Sequence, residues 1–273
     1  MNAQNQQSDE THAQSVTLKA VVRYDGGAFA GWQVQPGERT VQGDIEAALS
    51  QIANRPVRIH GASRTDAGVH ALGQVCSWEW PDAAGLSALR RSLCKMLGPD
   101  VRVETLEEAP HGFHARKSAH SKRYAYVLHL ARYPDPFLCH YAWTIPWRFD
   151  LEVLEHLAER ITGTHDFAAF QGGGSEIKNT IRTLFAVHLE PGTVVGPAAV
   201  ADAWRLEFHG DGFLYKMIRN LTGTFVDIAR GHLEVERLDE ILAHPGPYHG
   251  HTAPPQGLFL REVQYADRAQ PDA

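Results

Sequence analysis

Beyond a polar opening stretch, apolar positions along the chain settle into two kinds of spacing. Residues 17–24 read as a strand. Val41, Ile45, Ala48, Leu49 and Ile52 then recur at helical spacing, with Thr40 placed to cap the helix they predict. Residues 57–60 and 74–80 read as strands flanking a glycine-containing segment, followed by a helix over 86–97 and a strand over 101–106. A second series opens with a strand over 122–130, a helix over 151–161 behind Asp150 as its cap, and strands over 183–190 and 203–209. Leu214, Met217, Ile218, Leu221, Phe225 and Ile228 mark a long helix suited to packing on a sheet, and 234–243 adds a short one. Glycine, proline and small residues place loops at 171–175, 191–202 and 244–256.

Strands and helices mix within both series, which predicts an α+β fold. The similar order of elements suggests two related α/β subdomains, 16–112 and 113–265, although no residue-level repeat accompanies it. The boundary falls near 111–116, and polar tails at 1–15 and 266–273 are expected to be disordered.

With 273 residues, 43% of them hydrophobic, the chain can bury a sizeable core. No apolar run approaches the roughly 20 residues of a membrane-spanning helix, and the first fifteen residues lack a charged-then-apolar signal pattern. A cytoplasmic protein is expected. Cys76, Cys94 and Cys139 are odd in number and form no C-x-x-C pair, so neither a disulfide framework nor a zinc knuckle is indicated. His111, His114 and His120 lack the ligand spacing of known zinc motifs, and no metal site is expected.

A net charge of −6 argues by itself against a nucleic-acid partner, but its distribution changes the picture. Between 109 and 134 there is no Asp or Glu before Pro134, while Arg116, Lys117, Lys122, Arg123 and Arg132 fall there, interleaved with Phe113, Tyr124, Tyr126 and Tyr133. Such a stretch is either an RNA-binding surface or the solvated face of a strand pair.

Three familiar chemistries lack an anchor. Gly172, Gly173 and Gly174 with Lys178 do not align to a phosphate-binding G-x-x-x-x-G-K-[ST] loop, and neither G-x-G-x-x-G nor G-x-S-x-G is present. What remains is Ser63-Arg64-Thr65-Asp66-Ala67-Gly68-Val69-His70, an acid near an arginine on a turn whose Gly68 can take a positive φ. An Asp beside a Gly is most often a turn former, so spacing alone leaves its role open.

The segment from Gly61 to Ala71 resembles the signature of the tRNA pseudouridine synthase A family, whose Arg-Thr-Asp-Ala-Gly-Val-His-Ala run carries a nucleophilic aspartate. Further blocks resemble the family in the right order. They are Tyr24-Asp-Gly-Gly-Ala-Phe-Ala-Gly-Trp-Gln33, Thr40-Val-Gln-Gly43, Phe113-His-Ala-Arg116, Lys122-Arg-Tyr-Ala-Tyr126, Lys178-Asn-Thr-Ile-Arg-Thr183, Phe213-Leu-Tyr-Lys-Met-Ile-Arg-Asn-Leu-Thr-Gly223 and Gly257-Leu-Phe-Leu260. Position 259 is Phe where Tyr is also met, and 171–175 and 191–202 are locally individual.

The resemblance implies isomerisation of uridine to pseudouridine at positions 38 to 40 of the tRNA anticodon arm, without cofactor or metal. It also implies two α/β subdomains sharing an extended, mainly antiparallel sheet around a central cleft, and a homodimer. By the same resemblance Asp66 is the catalytic carboxylate, acting at C1′ or C6 as a nucleophile or at the ribose as a base. Arg219 matches the arginine that pairs with it. Tyr124 matches the tyrosine beside the target base, through its ring, its hydroxyl, or simply as a core aromatic.

Arg64 is the candidate to fill the space of an extruded base, or else holds the loop through an ion pair. Leu258 matches a leucine that shapes the uracil wall or packs the core. Arg116, Lys117, Lys122, Arg123, Lys178 and Arg182 are expected on RNA phosphates. A tRNA-binding or folding module without chemistry would need neither Asp66 nor its partners. A zinc deaminase would need H-x-E and P-C-x-x-C, which are missing.

Overall fold

The first strand, β1 (Val16–Tyr24), buries Leu18, Ala20, Val22 and Tyr24 and leaves the side chains between them more exposed, the period-two pattern of a strand with one covered face. Thr40 caps α1 (Val41–Ala53) by accepting from the Gly43 N–H, and the helix ends on Asn54 in the left-handed region. The first half continues through β2 (His60–Gly61), β3 (His70–Trp80), α2 (Leu86–Met96) and β4 (Val101–Glu108). The second half holds β5 (Ala119–His129), β6 (Trp143–Thr144), α3 (Leu151–Arg160), β7 (Gly163–Asp166), β8 (Ile181–Pro191), β9 (Ala203–Gly210), α4 (Met217–Ala229), α5 (Arg237–Ala243) and β10 (Leu258–Tyr265). Asp150 caps α3 as expected, accepting from the Glu152 and Val153 N–H groups.

The structure is a computed structural model and describes residues 15–174, 177–195, 200, 202–244, 246 and 250–266. Of the expected tails at 1–15 and 266–273, residues 1–14 and 267–273 lie outside the described residues, as do parts of the three expected loops.

Among the described residues ten strands join in one mainly antiparallel sheet, ordered β4-β1-β3-β10-β5-β9-β8-β7, with β2 on β3 and β6 on β5. The two halves follow the same plan. β1 lies between β3 and β4, with α1 ahead of one and α2 ahead of the other; β5 lies between β9 and β10, preceded by α3 and α4. The halves join where β10 runs parallel to β3, paired only through Phe259 with His70 and Leu260 with Ala71. This α+β sheet is the fold class expected.

The helices cover one face. Ile45 and Leu49 of α1, Leu93 of α2, Leu154 and Leu157 of α3, and Leu221 and Phe225 of α4 pack with Leu18, Val22, Tyr124, Tyr126 and Leu260 of the sheet. Each such fully buried side chain contributes about 1.5–3 kcal/mol of transfer free energy. Part of the other face is covered by Leu138 and Ala142, which pack on Val127 and Phe259.

Several boundaries differ from the pattern-based expectation. Of the expected strand 57–60, residues 57–59 are not strand: the Val57 N–H goes to Ser50 Oγ (2.9 Å) and the Ile59 N–H to Glu46 Oε1 (3.0 Å), so α1 side chains satisfy donors that a strand partner would take. Only His60 and Gly61 pair with β3. The long helix begins at Met217 rather than near 214, because Lys216 before it takes φ +58°. β6, β7 and β10 were not foreseen.

Candidate active site

Asp66 lies on the loop between β2 and β3, close to the seam of the two halves. The loop is held at many points. The Ala62 N–H reaches the Val75 carbonyl (2.8 Å), and the buried Gln74 side chain accepts from the Ser63 N–H and donates to its carbonyl. Thr65 Oγ1 meets Tyr24 Oη at 2.8 Å in the core, and its carbonyl accepts from the Trp32 N–H. A tight turn then closes through the Val69 N–H to the Asp66 carbonyl at 3.1 Å, with Gly68 at φ +77°.

The chain after β1 packs directly against this turn. A Cβ on Gly26 would fall 2.0 Å from the Val69 carbonyl oxygen, so only glycine allows the approach. The Gly26 N–H donates to His70 Nδ1 (3.0 Å), and burial holds His70 below the usual histidine range although Asp25 stands beside it. The turn is therefore locked on both sides of Asp66.

From the second half, Arg219 in the first turn of α4 donates through Nη1 to Asp66 Oδ2 at 2.8 Å. The side chains keep only 12% and 13% exposure. Arg219 is itself fixed: its Nε donates to the Ala253 carbonyl (2.8 Å), and the Ala253 N–H returns to the Arg219 carbonyl (3.0 Å). The same strap is anchored by Tyr126 Oη on the Pro254 carbonyl at 2.7 Å, and its Pro255 packs against Gly68. The guanidinium thus arrives prepositioned, which lowers the entropy cost of the ion pair.

Tyr124 on β5 is buried, with its hydroxyl 2.7 Å from Ser63 Oγ and its ring edge-on to Phe213 at 5.1 Å. Burial, with the Asp66 charge adding to it, pushes the phenol up to about 12 against the opposing Ser63 hydrogen bond. At neutral pH it is a phenol and a possible donor, not a phenolate.

The structure brings Asp66, Arg219 and Tyr124 together. Arg64 is exposed and has no ion pair among the described residues, so it does not hold the loop that way. Leu258 opens β10 opposite Tyr126 and is buried in the main core. Of the six basic residues, Arg123 is turned by alternation along β5 to the face away from Tyr124, where it pairs with Glu262 (3.6 Å). That other face carries a concavity of about 670 Å³ lined by Arg123, Glu207 and Arg261, which does not include Asp66. Arg116, Lys117 and Lys178 are exposed, and Lys122 and Arg182 are half-buried.

Ser63, Thr65, Tyr24, Gln74, Phe213 and the 253–255 strap were not singled out from the sequence. Gln74, a polar residue at a core position of a strand, was the one available signal.

The site joins a carboxylate, a fixed guanidinium and a buried aromatic at the junction of two sheet halves. The family model described as tRNA pseudouridine synthase matches residues 20–116 and 157–266. A tRNA pseudouridine synthase A of Streptococcus mutans is 37% identical over 254 residues, covering 92% of this chain and 100% of that protein. A tRNA pseudouridine synthase A 1 of Protochlamydia amoebophila is 39% identical, covering 90% of this chain and 95% of its own. A tRNA pseudouridine synthase A of Geobacter sulfurreducens is 35% identical over 91% of this chain and 99% of its own. The chain belongs to the tRNA pseudouridine synthase A family, a class of isomerases.

Proposed function

We propose that this chain isomerises uridine to pseudouridine at positions 38, 39 and 40 of the tRNA anticodon stem-loop, with Asp66 as the catalytic carboxylate. The observation that carries the reading is the Asp66–Arg219 pair: a carboxylate on the family's signature loop, met at 2.8 Å by an arginine 153 residues later. Family membership over most of the chain supports the reaction class.

The reaction breaks the bond from ribose C1′ to uracil N1, turns the base, and joins C1′ to C5, after which C5 loses its proton and N1 carries one, so that the product is an isomer of the substrate. Nothing is oxidised or reduced. Asp66 supplies the carboxylate, either as nucleophile at C1′ or C6 or as the base that removes a ribose proton. Arg219 holds that carboxylate in place, and a phosphate or the sugar can compete for its remaining N–H groups once RNA is bound.

Tyr124 offers a ring on which uracil stacks and a neutral hydroxyl that Ser63 orients. Leu258, from inside the core, backs that wall. Arg64, exposed and without an ion pair among the described residues, is free to enter the space that the flipped base leaves, which offsets part of the few kcal/mol that unstacking costs. Arg116, Lys117, Lys122, Lys178 and Arg182 supply phosphate contacts from the Tyr124 side, and Arg123 could do so only from the opposite face of the sheet. The setting we infer is a cytoplasmic homodimer, which size-exclusion chromatography with light scattering tests.

The function is tested by incubating the purified protein with an unmodified tRNA transcript carrying uridines at 38, 39 and 40 and mapping pseudouridine by base-resolved sequencing. Pseudouridine confined to those positions is expected. Binding without any pseudouridine would favour a tRNA-binding or folding module instead.

A further inference from the structure

Alternation along β5 places Lys122 on the face that carries Tyr124, two residues and about 7 Å away along the strand. Opposite it in register stand Gly210 of β9 and Val263 of β10, neither of which offers a charge. Arg182 reaches the same region from β8. Its side chain borders Gly212, where a Cβ would lie 3.4 Å from Nε, and its Nη1 is steadied by the Asn179 and Ile181 carbonyls at 2.9 and 2.6 Å. Arg116 approaches from the exposed turn ahead of β5, and both guanidinium groups repel the Lys122 ammonium.

The nearby carboxylates are turned to other partners. Asp211, next to Gly210, accepts from the Thr183 N–H at 3.1 Å, and Glu262, next to Val263, faces Arg123 across the sheet. Among the described residues none of the three cations has an ion-pair partner. Gathering like charges without a counter-ion costs free energy, and an anion seated among them recovers it.

We propose that Arg116, Lys122 and Arg182 form a seat for one phosphodiester group of the bound RNA, next to the nucleotide whose base lies on Tyr124, and that Lys122 is a positioning residue there. This rests on the reading of the Asp66 site as one that takes a flipped uridine. A flipped nucleotide has lost its stacking neighbours, so its sugar must be fixed by the backbone, and a clamp one residue pair from Tyr124 does that. Lys117, exposed on its turn, Lys178, exposed on the irregular segment ahead of β8, and Arg123, on the far face, lie outside the seat.

Chiefly through burial, and then through Arg116 and Arg182, the Lys122 ammonium is brought down to about 8 in the free protein. A bound phosphate reverses that shift. Below about pH 8 the lysine is charged whether or not RNA is bound, and affinity is flat; above it, binding must take up a proton, and affinity falls by up to about tenfold per pH unit.

The test measures dissociation constants for unmodified tRNA by filter binding between about pH 7 and about pH 9, with single-turnover pseudouridine formation alongside. Wild type should weaken above about pH 8. Lys122→Arg, permanently charged, should bind without that dependence, and Arg116→Gln should move its onset to higher pH by removing a like charge. Lys122→Gln should bind about tenfold or more weakly and lower the salt slope by about 0.7–0.9, the amount one phosphate contact supplies. Lys122→Gln with wild-type affinity, salt slope and pH profile would overturn the seat. Should the Lys122 variants fail to fold, Arg116→Gln decides: unchanged affinity and unchanged onset overturn it equally. These readouts report binding, so an absence of pseudouridine from wild type would refute the reaction and leave the seat to be judged on its own.

Discussion

Replacing Arg219 with alanine removes one guanidinium from two acceptors, Asp66 Oδ2 and the Ala253 carbonyl, each at 2.8 Å. Loss of one partner from a buried ion pair costs about 3–5 kcal/mol, whereas exposed pairs are worth about 0–1. With 12% and 13% exposure the pair lies toward the buried limit, and discounting for the remaining solvent gives an expected loss of about 2–4 kcal/mol for Arg219→Ala. Asp66→Ala breaks the same bond but leaves Arg219 on Ala253, so its expected cost is smaller, about 1–3 kcal/mol.

If the two act as a pair, the double variant should be less destabilised than the sum of the singles by about 1–3 kcal/mol. Urea unfolding followed by tryptophan fluorescence and far-UV circular dichroism provides the four free energies, valid if the m-values agree. Because the pair is sheltered, the coupling should survive added salt that screens surface charges. Additivity within about 0.5 kcal/mol would refute the claim that these two residues form one unit.

Three further outcomes follow from the geometry. Tyr124→Phe keeps the ring and should leave tRNA affinity within about twofold, while Tyr124→Ala should lose about 1–3 kcal/mol of stacking, both read by filter binding. Since the folded-state phenol is raised to about 12 while an unfolded tyrosine titrates near 10, the stability that Tyr124 contributes is complete below about pH 10 and is lost as pH climbs toward about 12. Alkaline unfolding should therefore be less steep in Tyr124→Phe. Gly26→Ala puts a methyl 2.0 Å from the Val69 carbonyl oxygen and should cost about 1–3 kcal/mol or more in thermal melts while displacing the Asp66 turn and slowing pseudouridine formation.

Elements with long, regular spacing were legible before any coordinates: α1 with its Thr40 cap, α3 with Asp150, β8, β9 and most of α4. What failed was decided by tertiary partners. Val57 and Ile59 look like strand residues, but Ser50 and Glu46 take their N–H groups. β10 is set in the middle of the sheet by pairing with β3 and β5, more than a hundred residues away in sequence, and its bulge near Leu260 and Glu262 breaks the alternation that would reveal it. Arg123 illustrates the same limit, since charge composition does not say which face of β5 it occupies. Asp66 was visible as an acid in a turn, yet its meeting with Arg219 across 153 residues came only from the order of family-like blocks, not from any local physical signal.

The most direct test of the account is pseudouridine formation by Asp66→Asn on an unmodified tRNA transcript, measured at a protein concentration where binding is saturated. The amide keeps the size of the side chain and can still accept from Arg219 through its oxygen, so folding and tRNA affinity should stay near wild type. The account predicts a bound complex that forms no pseudouridine at 38, 39 or 40. Turnover by Asp66→Asn comparable to wild type would contradict it.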